Sequence, residues 1–203
     1  LVGGGLGNAV LFSIGAAFGL FLAAWVVTAI AVLLLQQARH GVAQLRRAPS
    51  SFWGMVVAHL GVAVFIVGVT MVRTHEVEAD VKMKPGDSTT IAGLRFTLEG
   101  LRELEGPNYQ AVQGLVLVRR GDRVVARMEP EKRVYRVHAN PMTESAVYSL
   151  PWRDLYVSMG EQLPDGSWIV RVKVKPFIGW IWFGCLIMMA GGVGAVGDRR
   201  YRE

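Results

Sequence analysis

The stretch Phe52–Val72, FWGMVVAHLGVAVFIVGVTMV, decides the fold of this 203-residue chain. It contains no acidic or basic side chain other than the imidazole of His59. A helix of this length spans a bilayer core of roughly 30 Å. We therefore predict that the stretch forms a transmembrane helix with one titratable group inside the membrane.

His59 is the first candidate functional residue. At ~1.5 Å rise per residue it lies roughly 10 Å from the helix end at Phe52, too deep for the imidazole to reach the headgroups. A polar side chain at that depth costs free energy unless it has a partner, so it marks a functional site by default. Two interpretations are open. The imidazole ligates a metal at the centre of a flat apolar group, or it bonds a carbonyl or hydroxyl of a neighbouring helix.

The predicted helix has two faces. At about 100° per residue, the small residues fall on one narrow stripe that lets another helix approach closely. This stripe comprises Gly54, Ala58, Gly61 and Gly68. His59 lies well off the stripe, on a face with Phe52, Met55, Ala63 and Ile66.

Two further apolar runs, Leu11–Leu35 and Phe177–Val196, explain a hydrophobic content of 52% beside 19% charge. Each is long enough to cross a membrane. The predicted organisation is two transmembrane helices in 1–72, a polar domain in 73–175, and a third helix with a tail in 176–203. The glycine-rich segment Leu1–Val10 is predicted to be a loop. Because the chain begins without methionine, we expect a C-terminal piece of a longer protein or a subunit with its start elsewhere.

The net charge of +6 is concentrated beside the membrane. Residues 73–175 carry 16 basic and 14 acidic side chains, a net charge of only +2. The remaining arginines form two clusters, Arg39 with Arg46 and Arg47, and Arg199 with Arg200 and Arg202. The positive-inside rule makes both clusters cytoplasmic and places the polar domain on the opposite side. The charge therefore requires no nucleic-acid partner.

Residues 73–175 have the alternating pattern of β-strands, with a turn predicted at Lys84–Asp87 and a hairpin at Arg120–Asp122, and with Pro164–Gly166 separating the last two strands. Short strands at this spacing indicate a small antiparallel barrel or sandwich. The predicted strands are Glu76–Met83, Leu94–Leu104, Tyr109–Arg119, Arg123–Met128, Arg133–His138, Asp154–Met159 and Trp168–Lys175. The fold class is thus a polytopic α-helical membrane protein with three transmembrane helices and an inserted all-β domain.

No self-contained active site is predicted, and no catalytic residue is assigned. The single cysteine, Cys185, lies in an apolar run and is expected to pack as a small apolar side chain. His75 and His138 have no second histidine, cysteine or paired carboxylate at ligand spacing, so we interpret both as exposed or half-buried side chains. His40, beside Arg39, is interpreted as a solvated interfacial residue.

The chain resembles the C-terminal part of the CcmF family, the integral-membrane haem lyases of bacterial (system I) cytochrome c maturation. The resemblance covers nearly the whole chain, and its specificity comes from the order of several short motifs. These are WGMVVAHLGVAVFIVG, VKMKPGDSTTIAGLRFTLEGL, GPNYQAV, EKRVY, PMTESAV, DLYVSMGE, KPFIGWIW and DRRY.

This resemblance implies a membrane haem b held between two histidines, with His59 in AHLGVAV as one axial ligand and the second supplied from outside this chain. It also implies a multi-pass protein of the bacterial inner membrane with its β domain in the periplasm. The implied partners are the remaining N-terminal part of the protein, a periplasmic haem chaperone, and apocytochrome c with its thiol-presenting subunits. The family's tryptophan-rich signature and its two periplasmic haem-binding histidines are not found in this sequence.

Three functions follow as hypotheses. The first is covalent haem attachment to apocytochrome c, with this chain supplying one haem ligand and a periplasmic β domain. The second is a membrane scaffold that docks partners and has no haem ligand of its own. A substrate-binding transporter subunit is the third, and the lack of intramembrane acids and of matched broken helices weighs against it.

Overall fold

The computed structural model describes residues 4–39, 41–137 and 140–198, without the side chains of residues 4–12, 44 and 46. The chain forms two compact units. The helical unit comprises Leu1–His75 and Pro176–Glu203, and the β unit comprises Glu76–Lys175. The predicted sites His40 and His138 lie outside the described residues.

The helical unit contains α1 (Gly4–Arg39), α2 (Val42–Arg46), α3 (Ser50–His75) and α4 (Ile178–Val196). Three of these helices, α1, α3 and α4, are long and apolar enough to cross a membrane. The prediction of a loop at Leu1–Val10 is wrong over its described part, because α1 already begins at Gly4. The low helix propensity of glycine is only a weak preference, and the long helix that follows overrides it.

Close backbone approach joins α3 to α4. Gly54 and Gly61 of α3 face Gly191 and Gly184 of α4, at seven-residue intervals on both helices. A methyl group at Gly61 would lie 2.8 Å from the Gly184 carbonyl oxygen, and one at Gly54 would lie 2.6 Å from that of Gly191. The predicted small-residue stripe is therefore the surface of α3 that packs against α4.

The start of α3 has a second tie to the end of α4. Asp198, buried just beyond α4, accepts a hydrogen bond from the Ser51 backbone N–H at 3.1 Å. The first N–H groups of a helix have no partner within the helix, and a carboxylate there also complements the helix dipole. This bond satisfies one of those groups at the N-terminus of α3.

The β unit is an antiparallel sandwich, curled so that it approaches a half-barrel. One sheet has the strand order β1-β10-β9-β8, and the other has the order β2-β3-β4-β6-β7, with β5 also paired to β4. The strands are β1 (Val77–Met83), β2 (Ser88–Ile91), β3 (Leu94–Glu105), β4 (Tyr109–Arg120), β5 (Arg123–Met128), β6 (Glu131–Tyr135), β7 (Pro141–Glu144), β8 (Ala146–Leu150), β9 (Arg153–Gln162) and β10 (Trp168–Pro176). The predicted fold class is confirmed.

Strands that change sheets link the two layers. Only Ser145 separates β7 in one sheet from β8 in the other. The turn Lys84–Asp87 likewise leads from β1 to β2, and there the Asp87 carboxylate accepts a bond of 2.8 Å from the Lys84 N–H. Alternate residues of the strands fill the space between the layers, for example Phe96 and Leu98 opposite Val170 and Val172, all completely buried.

The sequence misses three short strands, β2, β7 and β8, and misplaces β6. The predicted strand Arg133–His138 is wrong in its bounds, because β6 runs from Glu131 to Tyr135. Its pairing with β4, in which Gln113 lies opposite Glu131, decides that register. The α3 helix also continues three residues beyond Val72, and the Thr74 hydroxyl donates to the Thr70 carbonyl at 2.9 Å.

Candidate functional site

His59 lies on α3, nine residues after the helix begins, on the exposed surface of the helical unit. Its Nδ1 is 2.8 Å from the carbonyl oxygen of Met55, one turn earlier. Because a carbonyl oxygen only accepts hydrogen bonds, Nδ1 carries the proton and donates. In the neutral imidazole this leaves the lone pair on Nε2, which is the atom free to bind a ligand.

Two other faces of α3 are occupied by helices and thereby set the direction of His59. The glycine face packs on α4, as described above. A second face carries Val56, Ala63 and Thr70, which are buried at seven-residue intervals, and Thr70 meets Gly19 of α1. The third face remains open and contains His59.

The open face differs in one residue from the predicted set. Met55 is exposed, and Phe52 and Ile66 are half-buried, as neighbours of an outward-facing imidazole would be. Ala63, which the sequence placed beside His59, is only 4% exposed and belongs to the buried face. A rotation of 100° per residue gives the direction of each side chain, but it does not show how far a neighbouring helix reaches around α3. Here α1 covers the edge of the open face, where Ala63 lies.

The other described histidine is at the end of α3. The Nδ1 atom of His75 lies 2.9 Å from the Thr74 hydroxyl and 3.1 Å from the Met71 carbonyl, and its ring stacks edge-on against Phe177. These local contacts match a structural role. No three histidine, cysteine, aspartate or glutamate side chains come together as a metal site among the described residues. Cys185 is half-buried in α4.

The sequence reasoning missed a cavity of about 920 Å³ at one end of the β sandwich. Val112, which packs against the core, shares this inner surface with its register neighbours Glu103 and Lys132. The lining residues are Glu103, Leu104, Glu105, Gln110, Ala111, Val112, Lys132, Val134, Pro141, Gly160, Glu161, Gln162 and Trp168. Charged and amide side chains thus replace apolar ones at inward positions here.

Trp168 closes the inner end of this cavity. Its side chain is 6% exposed, and its Nε1 has no hydrogen-bond acceptor among the described residues. The Lys132 Nζ donates to the Thr143 hydroxyl at 2.9 Å, which in turn donates to the Met159 carbonyl of the opposite sheet at 3.1 Å. The cavity therefore suits a partner that carries hydrogen-bonding groups. Its sequence signal is the change in β3 from LRFTL to RELE after Gly100.

Ion pairs order the exposed surface of the β unit. The hydrogen bond from Lys82, together with that from Ser167, holds the pKa of Asp165 well below its usual range. The bidentate contact of Arg171, at 2.7 and 2.8 Å, lowers the pKa of Asp80. Both pairs are exposed, so each contributes little to stability.

The chain is similar to known proteins in both its sequence and its fold. The family described as CcmF C-terminal beta-sandwich matches residues 74–176, half of the chain. The sequence is 45% identical to the cytochrome c-type biogenesis protein CcmF of Pseudomonas aeruginosa over 183 residues, or 89% of this chain. It is 41% identical to CcmF of Escherichia coli K12 over 185 residues, or 91% of this chain.

The chain spans 28% of the length of these two curated relatives. A solved structure titled cytochrome c heme lyase CcmF matches with a TM-score of 0.66 at 20% identity. The match covers 98% of this chain and 35% of that one. At that identity the structural likeness supports the fold alone, and the sequence relatives carry the family assignment.

Proposed function

The chain belongs to the CcmF family, and from that membership we propose that it acts in cytochrome c biogenesis, as part of a membrane haem lyase that attaches haem covalently to apocytochrome c. The chain contributes one axial ligand of a membrane haem b and a β domain. The observation that carries this proposal is the geometry of His59, since its Nδ1 donates to the Met55 carbonyl and leaves Nε2 for iron.

The residues around His59 fit a haem. Metal-ligating histidines commonly donate their second ring N–H to a backbone carbonyl, which sets the tautomer and the ring orientation. The imidazole faces outward beside apolar side chains such as Met55 and Ile66, against which a porphyrin can bury its apolar area. When bound, the haem supplies a redox-active iron whose potential depends on its axial ligands.

The second axial ligand lies outside this chain. Neither α1 nor α4 contains a histidine, and α3 has His59 as its one intramembrane imidazole. The open face of α3 therefore receives another helix of the complete protein, with the haem between the two. We assign no catalytic residue to this chain, because the haem presentation site belongs to the rest of the protein.

The membrane placement follows from the arginine clusters. The loop between α1 and α3 and the C-terminal tail are cytoplasmic, and the β unit is periplasmic in the bacterial inner membrane. There the β unit meets a periplasmic haem chaperone, apocytochrome c or the thiol-presenting subunits. The alternative is a membrane scaffold that docks partners, in which His59 bonds a neighbouring helix and no haem; the bond in the structure is instead to Met55 of its own helix.

Replacement of His59 in the full-length protein tests the proposal. His59→Ala is expected to remove or weaken the b-type haem spectrum, measured as Soret and α/β bands in both redox states, and to lower cytochrome c maturation. His59→Gly with added imidazole restores part of the spectrum. Leu60→Ala is the matched control, because Leu60 is also exposed but points about 100° around the helix from His59. Unchanged haem content in His59→Ala would establish the scaffold function instead.

A further inference from the structure

Arginines concentrate at one end of the β sandwich, where the β4–β5 and β8–β9 turns lie. The β4–β5 hairpin has the sequence Arg-Arg-Gly-Asp-Arg over residues 119–123. Arg95 of β3 lies opposite Arg119, and Arg120 lies opposite Arg123. We define the arginine–tryptophan surface as Arg95, Arg119, Arg120, Arg123, Trp152 and Arg153.

The two turns are close in space, because β5, which follows the first turn, contacts β8, which precedes the second. Burial lowers the pKa of the Arg153 guanidinium, and the nearby charge of Arg120 lowers it further. None of the ion pairs found among the described residues includes an arginine of this surface. The charges of the surface therefore remain available to an anionic partner.

Trp152 adds an aromatic side chain to this basic surface. It follows Pro151 in the β8–β9 turn and is 72% exposed. An indole ring combines apolar area with a hydrogen-bond donor, which suits the boundary between water and lipid headgroups. Arginines with an exposed tryptophan are thus a combination that an anionic membrane surface binds.

The chain leaves the β unit at this same end. Val77 at the start of β1 pairs with Val174 near the end of β10. Lys175 lies 5.4 Å over the ring of Tyr156, only three residues after Arg153. From here the chain continues into membrane-spanning helices, since α3 ends at His75 and α4 begins at Ile178. The cavity with its three glutamates lies at the opposite end of the strands.

We propose that the arginine–tryptophan surface docks on anionic lipid headgroups. The charge complementarity and the exposed indole define the partner, and both chain connections to membrane-spanning helices leave the β unit at this end. The guanidinium groups bind lipid phosphates, and Trp152 inserts its ring at the headgroup level. An acidic protein surface would meet the arginines equally well, but it would not require the exposed indole.

A spin label at position 151 tests this docking in the full-length protein in nanodiscs. Pro151→Cys places the label beside Trp152 in a background without other reactive cysteines. Collisions with lipid-soluble oxygen and with a water-soluble nickel chelate are compared in phosphatidylglycerol and in phosphatidylcholine discs. Gln162→Cys, an exposed site at the far end of β9, is the control label.

In phosphatidylglycerol discs, the label at position 151 is expected to collide more often with oxygen than with the nickel chelate. In phosphatidylcholine discs, the ratio of the two collision frequencies should shift toward the nickel chelate. The double variant Arg120→Gln/Arg123→Gln should move the lipid-bound to water-exposed equilibrium by roughly ten-fold or more. Arg102→Gln/Arg136→Gln, away from this surface, removes the same charge as a control. Trp152→Ala should shift the label in the same direction as the loss of the arginines.

Circular dichroism establishes that both double variants remain folded. A label that reports water in both lipids overturns the proposal, and it points to an acidic protein as the partner. Equal responses of the two double variants would also overturn it, because the effect would then come from net charge and not from this surface.

Discussion

The glycine contact between α3 and α4 permits a quantitative prediction. A Cβ atom added at Gly61 would lie 2.6 Å from the Met188 backbone nitrogen. Ordinary contacts of a Cβ atom begin at 3.4 Å, so the two helices must separate locally by about 0.8 Å. Because the Met188 nitrogen and the Gly184 carbonyl oxygen belong to the backbone, a rotation of the Met188 side chain alone does not relieve the clash. Overpacking of this kind costs about 1–3 kcal/mol.

Gly61→Ala should therefore lower the free energy of unfolding by about 1–3 kcal/mol, even though alanine is the better helix former by up to ~1 kcal/mol. Gly192→Ala on α4 is the matched control, since no atom lies within 4 Å of its added Cβ. The Gly192→Ala variant gains helix propensity without a clash, so its free energy of unfolding should be equal to or higher than that of the unsubstituted protein.

The assay is reversible denaturation of the full-length protein in mixed micelles, followed by circular dichroism. The haem spectrum gives a second measurement, because Gly61 is two residues from His59 and a displaced helix would shift the imidazole. If Gly61→Ala were as stable as Gly192→Ala, with an unchanged spectrum, the tight packing of α3 on α4 would be refuted.

Three further predictions concern membrane topology, a strained turn and pH. A cysteine at Gly121 should react with an impermeant thiol reagent added from the periplasmic side, and one at Arg46 should not; the reverse pattern would contradict the proposed topology. Ala92, at φ 49° in the two-residue β2–β3 turn, has a left-handed backbone that asparagine tolerates better, so Ala92→Asn should raise the free energy of unfolding by about 0.5–1 kcal/mol in a denaturant titration. Asp80 and Asp165 have lowered pKa values when folded, so their stabilisation is complete above the unfolded pKa of about 4 and is lost as the pH falls below it. Asp80→Asn/Asp165→Asn should therefore flatten the decline of the thermal midpoint between about pH 5 and pH 2, and an unchanged slope would contradict these shifts.

Local patterns determined most of the helices and strands of this protein. Run length and hydropathy predicted the three membrane-spanning helices, because the thickness of a bilayer translates directly into a number of apolar residues. Alternation and turn residues predicted most strands of the β unit, including the hairpin around Gly121, whose φ of 56° suits glycine. The unusual position of an imidazole within an apolar run was enough to select His59 as the candidate ligand.

Tertiary structure decided how those elements meet. The strands β2, β7 and β8 each pair with a strand next to them in the chain, but they have only four or five residues, too few for a local pattern to predict them. The pairing of β3 and β6 with β4 brings Glu103 and Lys132 to one cavity, and the packing of the two sheets brings Arg120 near Arg153. Similarly, only the packing of α1 shows that Ala63 is buried while His59 remains open. Hydropathy is a property of each residue, whereas a site requires the distances between residues, and those exist only once the chain has folded.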